Sequence, residues 1–448
     1  MQNKRFTLKN NSLIKPFRKI IKVDSDKSLS IRSFIIGSIS QDISKVKNVL
    51  ESEDVYSTIK CLKKLGVKIK KTSSKTYLIY GKGLGSLFAK KNLLLNFGNS
   101  GTLARLLIGV LSTTPNIEIK IQGDHSLNKR SMKKLIELMS KIGAEFLPKN
   151  KFNFPLRLIS TEMPIGINYK AGVSAQLKSA VMLAGLNAFG NTEIIEERKS
   201  RDHTENMLFK NTKAIKIENN KKKLIKIFGK NYLGPININI PGDPSSAAFF
   251  TALTLLNKNS SLKIENVWLN PTRIGFYDLL KKCGANIKFK NIKINNNELY
   301  GNIFIKSSKL KPIKANKEYY VKATDEYPIL FVMSALIKGI SIFKGIGDLS
   351  NKESDRIKEM QKILRQAGVK TVASKDSIKI YGRKFSAIKN KIIKIPNLGD
   401  HRICMSGLIL SLLTGIKTKI NNFETVYTSS PSFLKKIKYL GGKFEISK

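Results

Sequence analysis

Gly98-Asn99-Ser100-Gly101-Thr102 stands directly before an apolar helical pattern, Leu103 to Leu107, that carries one arginine, Arg105. Small residues ahead of a helix let backbone N–H groups approach an anion, and the helix start adds positive potential. One glycine-rich turn is a weak signal. Here it has company: "SDKSLSIR" from Ser25, "GVSAQLKSA" from Gly172, "GDPSSAAFF" from Gly242 and "NKESDRIKEM" from Asn351 all run into helical patterns, with Ser, Lys or Arg at the start. Several such starts converging on one site favour a small, strongly anionic ligand over a neutral one.

Arginine is informative because the chain rarely uses it: 13 of the 81 basic residues are arginine. Where a lysine-rich chain still places one, a planar, two-pronged donor to carboxylate or phosphate has a use. Arg32, Arg105, Arg130, Arg201, Arg273, Arg356 and Arg402 lie in motif-like stretches beside Gly, Asp, Ser or Pro. Singly each is as readily a surface or capping residue; together they point to anion recognition. Among the carboxylates, Asp325 and Glu326 precede an apolar helical pattern in "ATDEYPILFVMSAL", and Glu353 lies between Lys352 and Arg356. Either position is explained by helix-start charge or a surface ion pair, or by a general base held among cations. No serine or cysteine triad is visible. His203 and His401 follow aspartates without the i,i+4 pairing of a metal helix, so no metal is expected.

The elements that must position these residues show a repeat. An amphipathic helical pattern ending at glycine, then a short alternating strand, occurs at Gly66, Gly143, Gly284, Gly368 and Gly441. A degenerate copy has Asn211 and Thr212 in place of the glycine, and asparagine is the next-best residue for a left-handed helix end. The intervals of roughly 70–85 residues make six copies of one mixed unit, each with several strands and two helices. Six copies divide into two lobes of three, residues 1–24 plus 244–448 and residues 25–243. Pro241, Gly242 and Pro244 mark a crossover before a helix expected to start at Ser245 and Ser246.

The 448 residues suffice for two domains. The net charge of +49 would ordinarily suggest nucleic acid or an anionic membrane as partner. It is spread along the whole chain, with no zinc finger, aromatic RNA-binding signature or basic tail to focus it, so no specific nucleic acid is expected. No run approaches a membrane span, and the basic N-terminus lacks the apolar block of a secretory signal. Cys61, Cys283 and Cys404 are scattered singly. A cytoplasmic location follows.

Ten stretches in order, "DKSLSIR", "GNSGTLARLL", "GDHSLNKRSM", "SAQLKSAVMLAG", "SRDHTENML", "PGDPSSAAFF", "NPTRIG", "DEYPIL", "KESDRIKEM" and "GDHRICMSG", resemble the enolpyruvyl transferase family over nearly the whole chain. The resemblance implies an α/β (α+β) fold: a two-lobed inside-out α/β barrel, each lobe three βαβαββ units, joined by two crossover strands. It implies transfer of the carboxyvinyl group of phosphoenolpyruvate to the 5-hydroxyl of shikimate 3-phosphate, with no cofactor, by a monomer. By the same resemblance Lys27, Asn99, Gly101, Thr102, Arg130, Arg356 and Arg402 bind phosphoenolpyruvate. Ser28, Arg32, Ser174, Ala175, Gln176, Arg201, Asp325 and Lys352 bind shikimate 3-phosphate, while Asp325, Glu353 and Lys27 move protons. Arg105 is expected to pack and anchor its helix. Gly101 leaves room beside phosphoenolpyruvate, where glyphosate is expected to compete. The chain departs from the family pattern at Asp24, Ser25, Ile31 and Ser131, none of which removes a charged contact. Two rival readings remain: a transferase using UDP-N-acetylglucosamine, although "GDHSLNKRSM" lacks that sister family's cysteine, and a non-catalytic basic protein that binds nucleic acid on the same fold.

Overall fold

Five helices end where the glycines stop them. Gly66, Gly143, Gly284, Gly368 and Gly441 have φ of 84°, 117°, 93°, 76° and 96°, the left-handed region that glycine enters without steric cost. The degenerate copy differs. Helix His203–Phe209 is followed by Lys210 in right-handed conformation, and the Asn211 side-chain amide donates to Met207 O at 2.6 Å. Asparagine therefore closes this helix with its side chain instead of a left-handed backbone.

The computed structural model describes residues 5–219, 222–295, 298–383 and 392–447. The chain divides into two compact units: Met1–Asp24 with Pro241–Asn295 and Leu299–Lys448, and Ser25–Ile240 with Asn296–Glu298. The described residues form six four-stranded sheets of one design. In one, Leu93–Asn96 runs parallel to Glu118–Gln122, which pairs antiparallel with Leu156–Ile159, itself antiparallel to Glu145–Leu147. Helix Gly101–Ser112 joins the parallel strands and Lys133–Ile142 leads into the hairpin. This is a βαβαββ unit.

Two of the sheets borrow strands from the start of the chain. Arg18–Lys22 lies parallel to Ser261–Trp268, and Thr7–Asn10 pairs with both Lys417–Ile420 and Glu445–Ser447. In the Ser25–Ile240 unit, Asn237–Asn239 comes back to lie parallel to Ile43–Lys47. Each passage between units thus runs from a strand end into a helix start, Lys22 to Lys27 and Asn239 to Pro244. The second helix begins one residue before the expected serines. Asp243 caps it, accepting from Ser245 N at 2.9 Å, and Pro244 occupies the first helical position, where its missing N–H costs nothing.

Each unit carries two kinds of helix. Lys27–Ile39, Gly101–Ser112 and Ala175–Gly185 in one unit, and Pro244–Leu256, Tyr327–Leu336 and His401–Thr414 in the other, are buried on nearly every side, charged residues such as Arg32 and Lys178 included. Glycine lets two of them touch: a Cβ on Gly109 would stand 2.5 Å from Ala180 O. Helices such as Glu53–Lys64 and Arg356–Gln366 bury one face only. Among the described residues no helix is long and apolar enough to cross a membrane, and no group of three or more His, Cys, Asp or Glu could hold a metal ion.

Candidate functional site

In the Ser25–Ile240 unit the expected residues lie at three helix starts. Asp26 caps Lys27–Ile39 through Leu29 N at 2.7 Å, which sets Lys27 and Ser28 in the first turn. Lys27 Nζ pairs with Asp54 at 2.9 Å. Ser100 caps Gly101–Ser112 through Leu103 N at 3.2 Å, and Ser174 caps Ala175–Gly185 through Leu177 N at 3.4 Å. Arg130, which follows the short helix His125–Asn128, donates to Asn99 Oδ1 and to Ser126 Oγ.

Gly101 brings two arginines together. A Cβ at this position would lie 2.7 Å from Arg105 Nη1 and 3.3 Å from Arg130 Nη1, so both guanidinium groups press against the glycine. Arg105 Nη1 donates to Gly101 O at 3.1 Å and to Gln176 Oε1 at 2.9 Å. Gln176 Nε2 in turn donates to Thr102 Oγ1 at 2.9 Å. Arg105 therefore does more than anchor its own helix: it orients Gln176, one of the expected binding residues. Arg32 is only 2% exposed. It donates to Thr204 Oγ1 at 3.0 Å, Ser179 Oγ at 3.2 Å and Ser28 O at 3.4 Å, and Ser179 Oγ donates to Ala175 O at 2.8 Å. These bonds join the first and third helix starts to the helix His203–Phe209. Half-buried Arg201 stands two residues before that helix.

In the other unit the expected residues gather on Arg356, the first residue of Arg356–Gln366 and 1% exposed. Its Nε donates to Asp400 Oδ2 at 2.9 Å and its Nη2 to Glu353 Oε2 at 2.7 Å, while its Nη1 stands 3.8 Å from Asp325 Oδ1. Both expected proton-transfer carboxylates of this unit, Asp325 and Glu353, thus share one guanidinium. Burial alone would lower the Arg356 pKa, but Asp400, Glu353 and Asp325 raise it above the ordinary value. Arg402 lies 3.8 Å from Asp243 through Nη2 and packs over the Phe249 ring at 5.8 Å. Arg402 Nε and Nη1 and Arg356 Nη1 are buried without a hydrogen-bond acceptor among the described residues. Lys352 is turned to Asp348 Oδ2 at 2.6 Å, an oxygen that also accepts from Tyr320 OH at 2.7 Å.

Two residues that organise this half are absent from the sequence-based set. Asp400 accepts from Arg402 N at 2.9 Å, capping His401–Thr414, and from the Arg356 side chain. Asp243 accepts from Arg273 Nη2 at 3.1 Å as well as capping its helix. The signal was present in both cases as an aspartate directly before a helical pattern. What the sequence does not display is that each cap also holds an arginine from elsewhere in the chain.

The family model for EPSP synthase (3-phosphoshikimate 1-carboxyvinyltransferase) matches residues 12–437. The chain is 39% identical over 415 residues to the 3-phosphoshikimate 1-carboxyvinyltransferase of Petrotoga mobilis, covering 92% of this chain and 94% of that one. It is 36% identical over 424 residues to that of Bacillus subtilis, covering 94% and 97%. A solved structure of EPSP synthase from Acinetobacter baumannii superimposes with a TM-score of 0.85 at 33% identity, covering 99% of this chain and all of that one. The chain belongs to the EPSP synthase family.

Proposed function

We propose that the protein transfers the carboxyvinyl group of phosphoenolpyruvate to the 5-hydroxyl of shikimate 3-phosphate, the step of the shikimate pathway that leads towards aromatic amino acids. Family membership supplies the reaction. The observation that supports its assignment to particular residues is the Arg356 cluster, where one buried cation gathers Asp325 and Glu353. Buried donors of Arg356 and Arg402 without acceptors among the described residues suit an anion, because buried polar groups are otherwise satisfied. The comparisons favour neither the UDP-sugar transferase nor the nucleic-acid-binding reading.

Asp325 takes the proton of the 5-hydroxyl as its oxygen attacks the central carbon of phosphoenolpyruvate. Glu353 and Lys27 deliver a proton to the methylene carbon. The resulting tetrahedral intermediate carries both phosphates. Loss of a methyl proton to the same groups restores the double bond as the carbon–oxygen bond to phosphate breaks and inorganic phosphate leaves. Lys27, Arg130, Arg356 and Arg402 bind phosphoenolpyruvate and stabilise charge moving onto the departing phosphate, a preorganised electrostatic role. Asn99, Gly101 and Thr102 shape that site. Ser28, Arg32, Ser174, Ala175, Gln176, Arg201, Asp325 and Lys352 hold shikimate 3-phosphate. The protein acts as a monomer in the cytoplasm, which sedimentation and cell fractionation check.

Phosphate release from phosphoenolpyruvate, measured with shikimate 3-phosphate or with UDP-N-acetylglucosamine as acceptor, tests the reading. Release is expected with the first acceptor only. Release with the second alone, or with neither, overturns it.

A further inference from the structure

We infer that Lys178 is a positioning residue for shikimate 3-phosphate, tying the helix start of Ser174–Gln176 to the loop that carries Arg201. The inference rests on the substrate assignment of those residues made above. Lys178 sits one turn into Ala175–Gly185 with a side chain 0% exposed, a placement that costs heavily unless the charge is paired. Its Nζ lies 2.8 Å from Glu196 Oε1, at the end of the strand Asn191–Glu196, and 2.5 Å from Glu205 Oε1 in the helix His203–Phe209. Lys223 completes the group, 3.2 Å from Glu205 and 3.5 Å from Glu196. Two ammonium groups thus face two carboxylates.

Glu196 ends the strand before the loop 197–202 and Glu205 lies in the first turn of the helix after it, so a single ammonium bonded to both fixes the two sides of that loop against one helix. The connection to Arg201 runs through its neighbour. Glu196 Oε1 accepts from Ser200 N at 3.1 Å and from Ser200 Oγ at 2.6 Å, and Ser200 directly precedes Arg201. Burial pushes the Glu196 carboxyl up, yet Lys178, Ser200 and Lys223 together hold it below its ordinary value, which keeps the acceptor charged. A buried ion cluster is a poor way to gain stability, since apolar packing of equal volume often does as well. What it supplies here is geometry: directional bonds from one side chain to the segments before and after the loop.

The test compares Lys178→Met, the double variant Lys178→Met/Glu205→Gln and Arg201→Ala with the unaltered protein, reading Michaelis constants for both substrates and thermal melting. Lys178→Met leaves one buried ammonium facing two carboxylates; the double variant restores one facing one. Lys178→Met is expected to raise the Michaelis constant for shikimate 3-phosphate about tenfold while changing that for phosphoenolpyruvate less than about twofold. The double variant is expected to melt near the unaltered protein and to keep the raised constant. Recovery of the constant in the double variant overturns the inference, because charge balance alone would then account for Lys178. Equal effects on both substrates, or failure of the double variant to fold, overturn it too. If Arg201→Ala itself leaves the shikimate 3-phosphate constant unchanged, the substrate assignment falls instead, so the two failures are distinguishable.

Discussion

At the helix starts, the arginine partners seen within each unit differ in chemistry. In Ser25–Ile240, Arg130 donates to Asn99 and Ser126, Arg105 to Gln176, and Arg32 to Thr204 and Ser179. Two of its three inner helices start on serines, with Asp26 capping the third. In the other unit Arg356 binds Asp400 and Glu353, Arg273 binds Asp243, and Arg402 stands near Asp243. A serine cap satisfies helix N–H groups without adding charge, whereas an aspartate cap adds a carboxylate to the site. On the proposed reading, the first arrangement would grip a dianion and the second would keep proton-transferring carboxylates among cations. The Ser25–Ile240 unit also uses ion pairs, at Lys27–Asp54 in a helix start and in the buried cluster of Lys178, Glu196, Glu205 and Lys223 one turn behind another.

The sharpest break in this comparison is Asp325→Asn. If the carboxylates beside Arg356 transfer protons, this variant, whose amide oxygen still accepts from the substrate hydroxyl, keeps both substrates in equilibrium binding yet loses about a thousandfold in kcat, within the range of a missing general base. Single-turnover kinetics alongside titration of each substrate checks it, and a loss of binding with retained turnover would reverse the assignment. Asp400→Asn comes next. Asparagine caps a helix as well as aspartate does, so this change removes charge from Arg356 and leaves the cap. Taking one partner from a buried ion pair costs about 3 kcal/mol or more, and urea unfolding should show a loss near that size. A loss below about 1 kcal/mol would mean that Glu353 and Asp325 alone suffice to hold Arg356.

Much of this arrangement was legible before any coordinates. The glycines at 66, 143, 284, 368 and 441 announced five of the six repeats because a left-handed helix end has few other solutions. Asn211 misled on mechanism though not on position, since an amide side chain can close a helix without a left-handed backbone. Helix starts and their arginines were readable because caps act within a few residues. Partnerships across hundreds of residues were not. Nothing in "GDHRIC" says that Asp400 receives Arg356, and nothing in "SAQLKSA" says that Lys178 is buried on two glutamates from later segments. Local pattern encodes the helix and its cap; which distant side chain the cap meets is decided by the way the repeats pack.

A gentler break falls on the first unit. Arg201→Ala should raise the Michaelis constant for shikimate 3-phosphate about thirtyfold, the size expected for a lost charged contact, and change that for phosphoenolpyruvate little. Steady-state kinetics with each substrate varied in turn checks the asymmetry. Equal effects would mean that Arg201 serves both substrates and that the assignment by unit is too simple.

The smallest expected effect asks why position 105 carries an arginine in a chain so rich in lysine. Arg105 Nη1 reaches Gly101 O and Gln176 Oε1 together, and it lies so close to Gly101 that a Cβ there would stand only 2.7 Å from it. A lysine has a shorter reach and a tetrahedral head, so it can cap Gly101 O but not also hold Gln176 in the same pose. Arg105→Lys should therefore fold normally and raise the shikimate 3-phosphate constant about threefold, roughly the value of one neutral partner's hydrogen bond. If the arginine acts on substrate through that amide, the effect should vanish in a background where Gln176 is already alanine. A double-mutant cycle measures this coupling; if the two changes simply add, Arg105 reaches the substrate site by another route than Gln176.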